Sequence, residues 1–249
     1  MTLHHLVAGD GPTVVLVHAG VADLRMWDSP TTALVAAGRR VVRCDLRGYG
    51  FTPLEPDASY GDAEDVLALV NDLGLTSFAL VGASYGGYVA QQVATASPDL
   101  VERMVLVCAA GDLVDPDAGL RAFWREEGRL LEAGDVDGAT ELNVATWLGP
   151  NADDEARSLV RTVQRTAFDH QLAAGEVDDR ELPVTPEVLV MPVTMIVGAH
   201  DFDFFRDTAR ALLARLPRAE LVVLDWAGHL PTLERPDEGR RVLLRALTD

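Results

Sequence analysis

Three side chains in this sequence have the types and positions to carry acyl transfer. Ser84 lies in Gly82-Ala83-Ser84-Tyr85-Gly86, Asp201 in Val197-Gly198-Ala199-His200-Asp201, and His229 in Asp225-Trp226-Ala227-Gly228-His229. A serine hydroxyl is a weak nucleophile until a base takes its proton, and an imidazole base needs an acid to orient it. In that arrangement Ser84 attacks a carbonyl carbon. His229 takes the proton and returns it to the leaving group, and Asp201 holds the imidazole tautomer. Each residue alone has a plainer explanation: a capping serine, a helix-capping aspartate and a turn histidine. Asp112 is the main rival for the acid, and Asp203 and Asp225 are weaker ones. A tetrahedral intermediate also needs N–H donors for its oxyanion. The backbone N–H of Tyr85, directly after the serine, is one candidate. The backbone N–H of Gly20, in His18-Ala19-Gly20-Val21, is the other.

These residues must be positioned by the elements around them. Phe78-Ala-Leu-Val81 is a short apolar run that leads into Gly-x-Ser-x-Gly and then a helical stretch from Tyr88 to Ala96, the pattern of a nucleophile elbow. The flanking glycines fit a turn with no room for side chains. A nucleotide-binding loop is a poor reading, because Ser84 stands where a second glycine belongs and the chain contains no lysine. Apolar runs at Leu3–Val7, Val14–Val17, Val41–Cys44, Phe78–Val81, Met104–Val107, Val193–Val197 and Leu221–Leu224 read as strands buried on both faces. Helical patterns alternate with them at Ala63–Leu73, Phe205–Leu216 and Gly239–Leu247. Alternation of this kind implies a mostly parallel central sheet covered by helices, an α/β fold. Asp201 and His229 follow consecutive strands, so they are expected at the same sheet edge as Ser84.

The alternation breaks between Asp112 and Val190, where three helical candidates occur instead: Ala118–Leu131, Val136–Trp147 and Asp154–Gln171. The expected organisation is a first part of the α/β core over residues 1–111, a helical lid over 112–190 and a last part of the core over 191–249.

Composition narrows the classes of function. The chain has 249 residues with 48% hydrophobic residues, enough for one large α/β domain. Its formal net charge is −18, which opposes binding to a phosphate backbone, so no nucleic-acid partner is expected. No apolar run is long enough to span a membrane, and the first eleven residues lack the pattern of a secretory signal, so a cytoplasmic protein is expected. The two cysteines, Cys44 and Cys108, end apolar runs and read as buried free thiols. Their spacing does not suit zinc, and the other histidines have no partners that suggest a metal site, so no metal is expected. The absence of lysine excludes Schiff-base chemistry.

Over nearly its whole length the chain resembles proteins of the α/β-hydrolase fold, in the branch with a serine nucleophile. The resemblance is carried by Val14-Val-Leu-Val-His18-Ala19-Gly20, Asp45-Leu-Arg47-Gly48-Tyr49-Gly50, the serine elbow, Ala227-Gly228-His229 and Leu233-Glu234-Arg-Pro236-Asp. The order Ser84, Asp201, His229 is that of the family. Two positions depart from its pattern: Ala19 replaces the glycine after His18, and Phe51 intervenes between Gly50 and Thr52. His18 through Met26-Trp27-Asp28 is similar to 3-oxoadipate enol-lactonases and to esterase and cofactor-free haloperoxidase relatives. The resemblance implies a carboxylic ester or lactone hydrolase with no cofactor, acting on a small-molecule substrate through an acyl-Ser84 intermediate. Asp45 and Arg47 read as structural residues of their loop. Trp27 and Tyr85 are expected near Ser84, and Phe123, Trp124 and Trp147 on the lid are expected either to face a small apolar substrate or to pack the lid on the core. An enol-lactonase is the runner-up. A non-hydrolytic relative, a ligand receptor or a lyase or cyclase, is the reading from a different class.

Overall fold

The computed structural model describes residues 2–56 and 59–248. In chain order its strands are β1 (His5–Ala8), β2 (Thr13–Val17), β3 (Arg40–Cys44), β4 (Ser59–Tyr60), β5 (Phe78–Ala83), β6 (Val101–Val107), β7 (Asp178–Asp179), β8 (Val193–Gly198) and β9 (Ala219–Leu224). The helices are α1 (Asp28–Ala36), α2 (Asp62–Asp72), α3 (Tyr85–Ala96), α4 (Ala118–Glu132), α5 (Val136–Trp147), α6 (Asp154–Ala174), α7 (Asp203–Leu213), α8 (Pro231–Glu234) and α9 (Pro236–Thr248). Seven strands form the main sheet in the order β1-β3-β2-β5-β6-β8-β9. β1 is antiparallel to β3 and every other neighbour is parallel. All the strands from β2 onward in this sheet therefore end at one edge, and the loops bearing His18, Ser84, Asp201 and His229 leave from there.

The central strands read as unbroken apolar runs because both faces are covered. Val14, Leu16, Val81, Val105 and Val107 pack into one core, and Val15, Val17, Phe78, Leu80, Met104 and Leu106 into the other. The first core includes Leu34 of α1 and Leu243 and Leu247 of α9. The second includes Val66 and Leu69 of α2, Val89 and Val93 of α3, and Leu212 of α7. The edge strands differ: β1 has no buried residue, and Val223 of β9 is exposed. The expectation of burial on both faces therefore fails for them, because each has a neighbour on one side only.

Between β6 and β8 the chain forms α4, α5 and α6. Aspartates cap all three: Asp117 accepts from the Leu120 N–H at 3.0 Å, Asp135 from Gly138 at 2.9 Å, and Asp153 from Ala156 at 2.8 Å. The other Asp117 oxygen accepts from the Phe204 N–H at 3.0 Å and so ties α4 to α7. Sequence periodicity overlooks α1, which buries only Pro30, Thr31 and Leu34. It also overlooks the two-residue pairing of β4 with β7, a ladder too short to leave an apolar pattern. Among the described residues no helix is long and apolar enough to cross a membrane.

Candidate active site

Ser84 leaves β5 with φ 51° and ψ −119°, a conformation that costs a non-glycine residue on the order of 1–3 kcal/mol. The surroundings fix it there. The Ser84 N–H donates to the Val107 carbonyl at 2.9 Å, and its carbonyl accepts from Gly87 at 2.9 Å and Ala110 at 3.0 Å. Glycine is required on both sides by close approach: a Cβ at Gly82 would collide with the Gly86 carbonyl, and one at Gly86 with the His18 carbonyl. The elbow therefore locks onto the adjacent β2 and β6 ends, and Ser84 lines a cavity of about 600 Å³.

His229 and Asp201 are brought together. The His229 Nδ1–H donates to Asp201 Oδ2 at 2.7 Å, with both side chains buried. The second Asp201 oxygen accepts from the Phe202 N–H at 2.8 Å. The loop carrying the imidazole is held by the His200 N–H to the Ala227 carbonyl at 2.9 Å, and by the Gly228 N–H to the buried Glu234 Oε1 at 2.8 Å. Burial pushes the Glu234 carboxyl up. The imidazole packs between Phe205 and Trp147, with ring centroids at 4.2 Å and 4.6 Å. Both rings also line the Ser84 cavity. Among the described residues the Ser84 hydroxyl has no side-chain hydrogen bond, and such bonds are often long before substrate binds. The rival acids stand elsewhere: Asp112 is exposed on the cavity rim, Asp203 pairs with Arg206, and Asp225 is exposed.

Gly20 lies against Tyr85, and both line the cavity beside Ser84. A Cβ on Gly20 would make only ordinary contacts, 3.4 Å from the Tyr85 Cβ, and its φ is not left-handed. The loop is set instead by His18. Its buried ring accepts the Leu46 N–H at Nε2, 3.0 Å away, and donates from Nδ1 to the Ala19 carbonyl at 2.8 Å. Burial lowers the His18 pKa and keeps this neutral tautomer. Ala19 is accommodated fully buried, with its N–H on the Met26 sulfur.

The structural reading of Asp45 and Arg47 holds. Asp45 accepts from the Leu24 and Phe51 N–H groups and pairs with His4, while Arg47 pairs with Asp65. Phe51 points outward, 74% exposed, so Thr52 still donates its hydroxyl to the Asp45 carbonyl at 2.9 Å.

The aromatic expectations divide. Phe123, Trp124 and Trp147 all line the cavity. Trp124 is 47% exposed at its rim, whereas Trp147 is buried and donates from Nε1 to Asn143 at 2.9 Å. Trp27 is a correction: it is 0% exposed inside the core and does not line the cavity, because the 3-10 turn before α1 packs its ring inward. Sequence reasoning missed Phe205, Asn143 and Gln164 as lining residues. The signal for the last two was available, since each interrupts the buried face of its helix.

Cys108 Sγ, Asp201 and His229 offer donor atoms within 4.8 Å of one another. The Cys108 thiol is pushed up by burial and by the Asp201 charge, and the aspartate and histidine already satisfy each other, so the trio is a poor cation cradle. Both cysteines are buried and free.

Comparison with known proteins agrees with this fold. The sequence profile of the Alpha/beta hydrolase family matches residues 14–241. A 2-hydroxymuconate semialdehyde hydrolase of Pseudomonas putida is 27% identical, over 98% of this chain and 86% of its own. The sn-1-specific diacylglycerol lipase of Mus musculus is 36% identical over 124 residues, with this chain spanning only 40% of its length. A thermophilic esterase from Thermogutta terrifontis superposes with TM-score 0.81 at 26% identity, covering 98% of this chain and 92% of that one. The enol-lactonase from Burkholderia xenovorans LB400 gives TM-score 0.79 at 23% identity, over 99% and 96%.

Proposed function

The chain belongs to the alpha/beta hydrolase family, and on that premise we propose that it is a serine hydrolase of small, largely apolar carboxylic esters or lactones. The observation that carries this reading is the 2.7 Å bond between His229 and Asp201, at the sheet edge where Ser84 is held on a strained elbow. With Nδ1–H given to Asp201, the His229 Nε2 lone pair is available to take the Ser84 proton. Ser84 Oγ then forms a bond to the carbonyl carbon, and the carbonyl oxygen becomes an oxyanion facing the Gly20 and Tyr85 N–H groups. The C–O bond to the alcohol breaks as His229 returns the proton to it. Water, activated by the same imidazole, releases the acid and restores Ser84. Residues 112–190 act as a lid whose Phe123, Trp124 and Trp147 form the apolar wall.

The same cavity argues against a dianionic lactone. It is lined by Asp112, Asp115 and Glu127, and by no arginine among the described residues. Burial raises the Glu127 carboxyl, and Asn143, which donates to it at 2.6 Å, opposes that rise, so the repulsion comes chiefly from the exposed Asp112 and Asp115. A substrate carboxylate would meet like charge there.

Steady-state hydrolysis of p-nitrophenyl acetate and butyrate, wild type beside Ser84→Ala, tests the reading, with mass spectrometry for an acyl group on Ser84. Repeated turnover that disappears in the variant supports it. A folded wild type that acylates once or not at all would move the chain to the non-hydrolytic reading.

A further inference from the structure

A second cavity of about 340 Å³ adjoins the Ser84 cavity, and the two share Gly20, Tyr49, Tyr85 and Gln171 in their walls. Its chemistry is different. Three tyrosines, Tyr49, Tyr60 and Tyr85, line it together with Asp62 and Asp179. Asp62 is only 3% exposed. Its Oδ2 accepts the Tyr85 hydroxyl at 2.9 Å and the Arg47 backbone N–H lies against the carboxyl, while its Oδ1 is buried and meets no hydrogen-bonding side chain. A buried carboxylate short of hydrogen bonds is costly, and a cation held in the adjoining cavity would offset its charge.

One cation already lies in this wall, and the acids outnumber it. The Arg47 guanidinium is bound by Asp65 and lies over the Tyr60 ring at 5.2 Å, with Asp62 also within its field. Among the described lining residues Arg47 is the one cation, and against it stand Asp62 and Asp179 of the lining and its own partner Asp65, with Asp178 and Glu181 adding to the field around Asp179. Burial raises Asp62 to about 7, with the Asp179 and Asp65 charges pushing the same way.

We propose that this second cavity is a subsite for an ammonium group carried by the ligand of the Ser84 cavity. Aromatic faces attract such a cation through their quadrupoles, and a desolvated carboxylate supplies the ion pair. The inference rests on the serine-hydrolase reading only for which end of the ligand faces Ser84. Tyr85 couples the two ends: its N–H serves the reacting carbonyl and its hydroxyl carries Asp62. Above about pH 7, where the Asp62 carboxyl is ionised, a neutral alcohol of the same size would gain the apolar contacts but leave the negative charge unmatched.

Isothermal calorimetry of n-butylammonium against 1-butanol, on wild type and on Asp62→Asn, tests this without any need for turnover. The substitution keeps an oxygen for the Tyr85 hydroxyl and preserves the volume. The expected result is ammonium binding that exceeds butanol binding and falls about tenfold or more in Asp62→Asn, with butanol unaffected. Tyr60→Leu should weaken ammonium binding several-fold by removing one face of the cage. Equal binding of the two probes, or ammonium binding unchanged by Asp62→Asn, overturns the subsite. As a second readout, butylammonium should inhibit p-nitrophenyl butyrate hydrolysis better than butanol does. Failure of all hydrolysis with Asp62-dependent ammonium binding intact would strike the serine-hydrolase reading and spare the subsite.

Discussion

The sheet edge and the helical segment α4–α6 both wall the Ser84 cavity, and they are built on different principles. At the sheet edge backbone geometry decides: Ser84 with its left-handed φ, and Gly82 and Gly86 with no space for a Cβ. Neither of these two glycines could carry a side chain without moving backbone. In the helical wall, three Asp-capped helices present side chains to the site and ion pairs to water, such as Arg161 with Glu141 and Arg129 with Glu126. Surface pairs of this kind are worth about 0–1 kcal/mol each, so these helices are held mainly by the apolar face they bury. On the proposed function, the edge is suited to fixing a reaction and the helices to choosing what reacts.

That division can be tested from its strongest consequence downward. Asp201→Asn should lower kcat by on the order of 10⁴ with little change in KM, because the imidazole loses the partner that fixes its tautomer. Asp112→Asn, exposed on the rim, should leave kcat within a factor of about two; the reverse pattern would move the acid to Asp112. Trp147 is where the division should break, because it belongs to α5 yet touches His229. Trp147→Ala should cost about 3–5 kcal/mol in denaturant unfolding and also reduce kcat, which a pure specificity wall would not do.

Asp62 sharpens the contrast from the core side. Its folded pKa is raised from 3.8 to about 7 by burial, with Asp179 and Asp65 adding to the shift and the Tyr85 hydroxyl and the Arg47 backbone opposing it. The folded state therefore holds this proton to higher pH than the unfolded chain does. The stability so gained is full below about pH 4 and is lost as pH rises through 7, by at most roughly 4 kcal/mol. Asp62→Asn should flatten that part of the stability–pH curve, measured by urea unfolding from pH 4 to 8. The smallest effect belongs to Trp124→Ala. At 47% exposure it should change stability by less than about 0.5 kcal/mol and shift KM a few-fold for bulky acyl groups, with kcat unchanged.

Legibility in the sequence follows the same line. Backbone-dictated features can be read, because a steric requirement leaves few residue types: the glycines around Ser84, the loop after β2, and the strands buried on both faces. The helices α4 to α6 can be read as elements, since the spacing of their apolar residues is local. What cannot be read is the direction of single side chains. The sequence puts Trp27 at the substrate because its neighbours resemble an active-site loop, and packing of the 3-10 turn sends it inward. Phe205 reads only as the start of a helix, yet its ring is the nearer of the two against His229. The cage around Asp62 joins Tyr60 of the β4 ladder to Asp179 of β7, a contact of two residues per strand that no periodicity announces.

The pairing of β6 with β8 across the whole of α4–α6 has a consequence for the chain as it is made. Ser84 leaves the ribosome long before Asp201 and His229. At about 5–20 residues per second the interval is roughly seven to thirty seconds. On the proposed mechanism the nascent protein carries, throughout it, a serine with no base. Hydrolytic competence then arrives only when β8 and β9 dock, so a chain stalled before Asp201 should be inert toward the cell's esters.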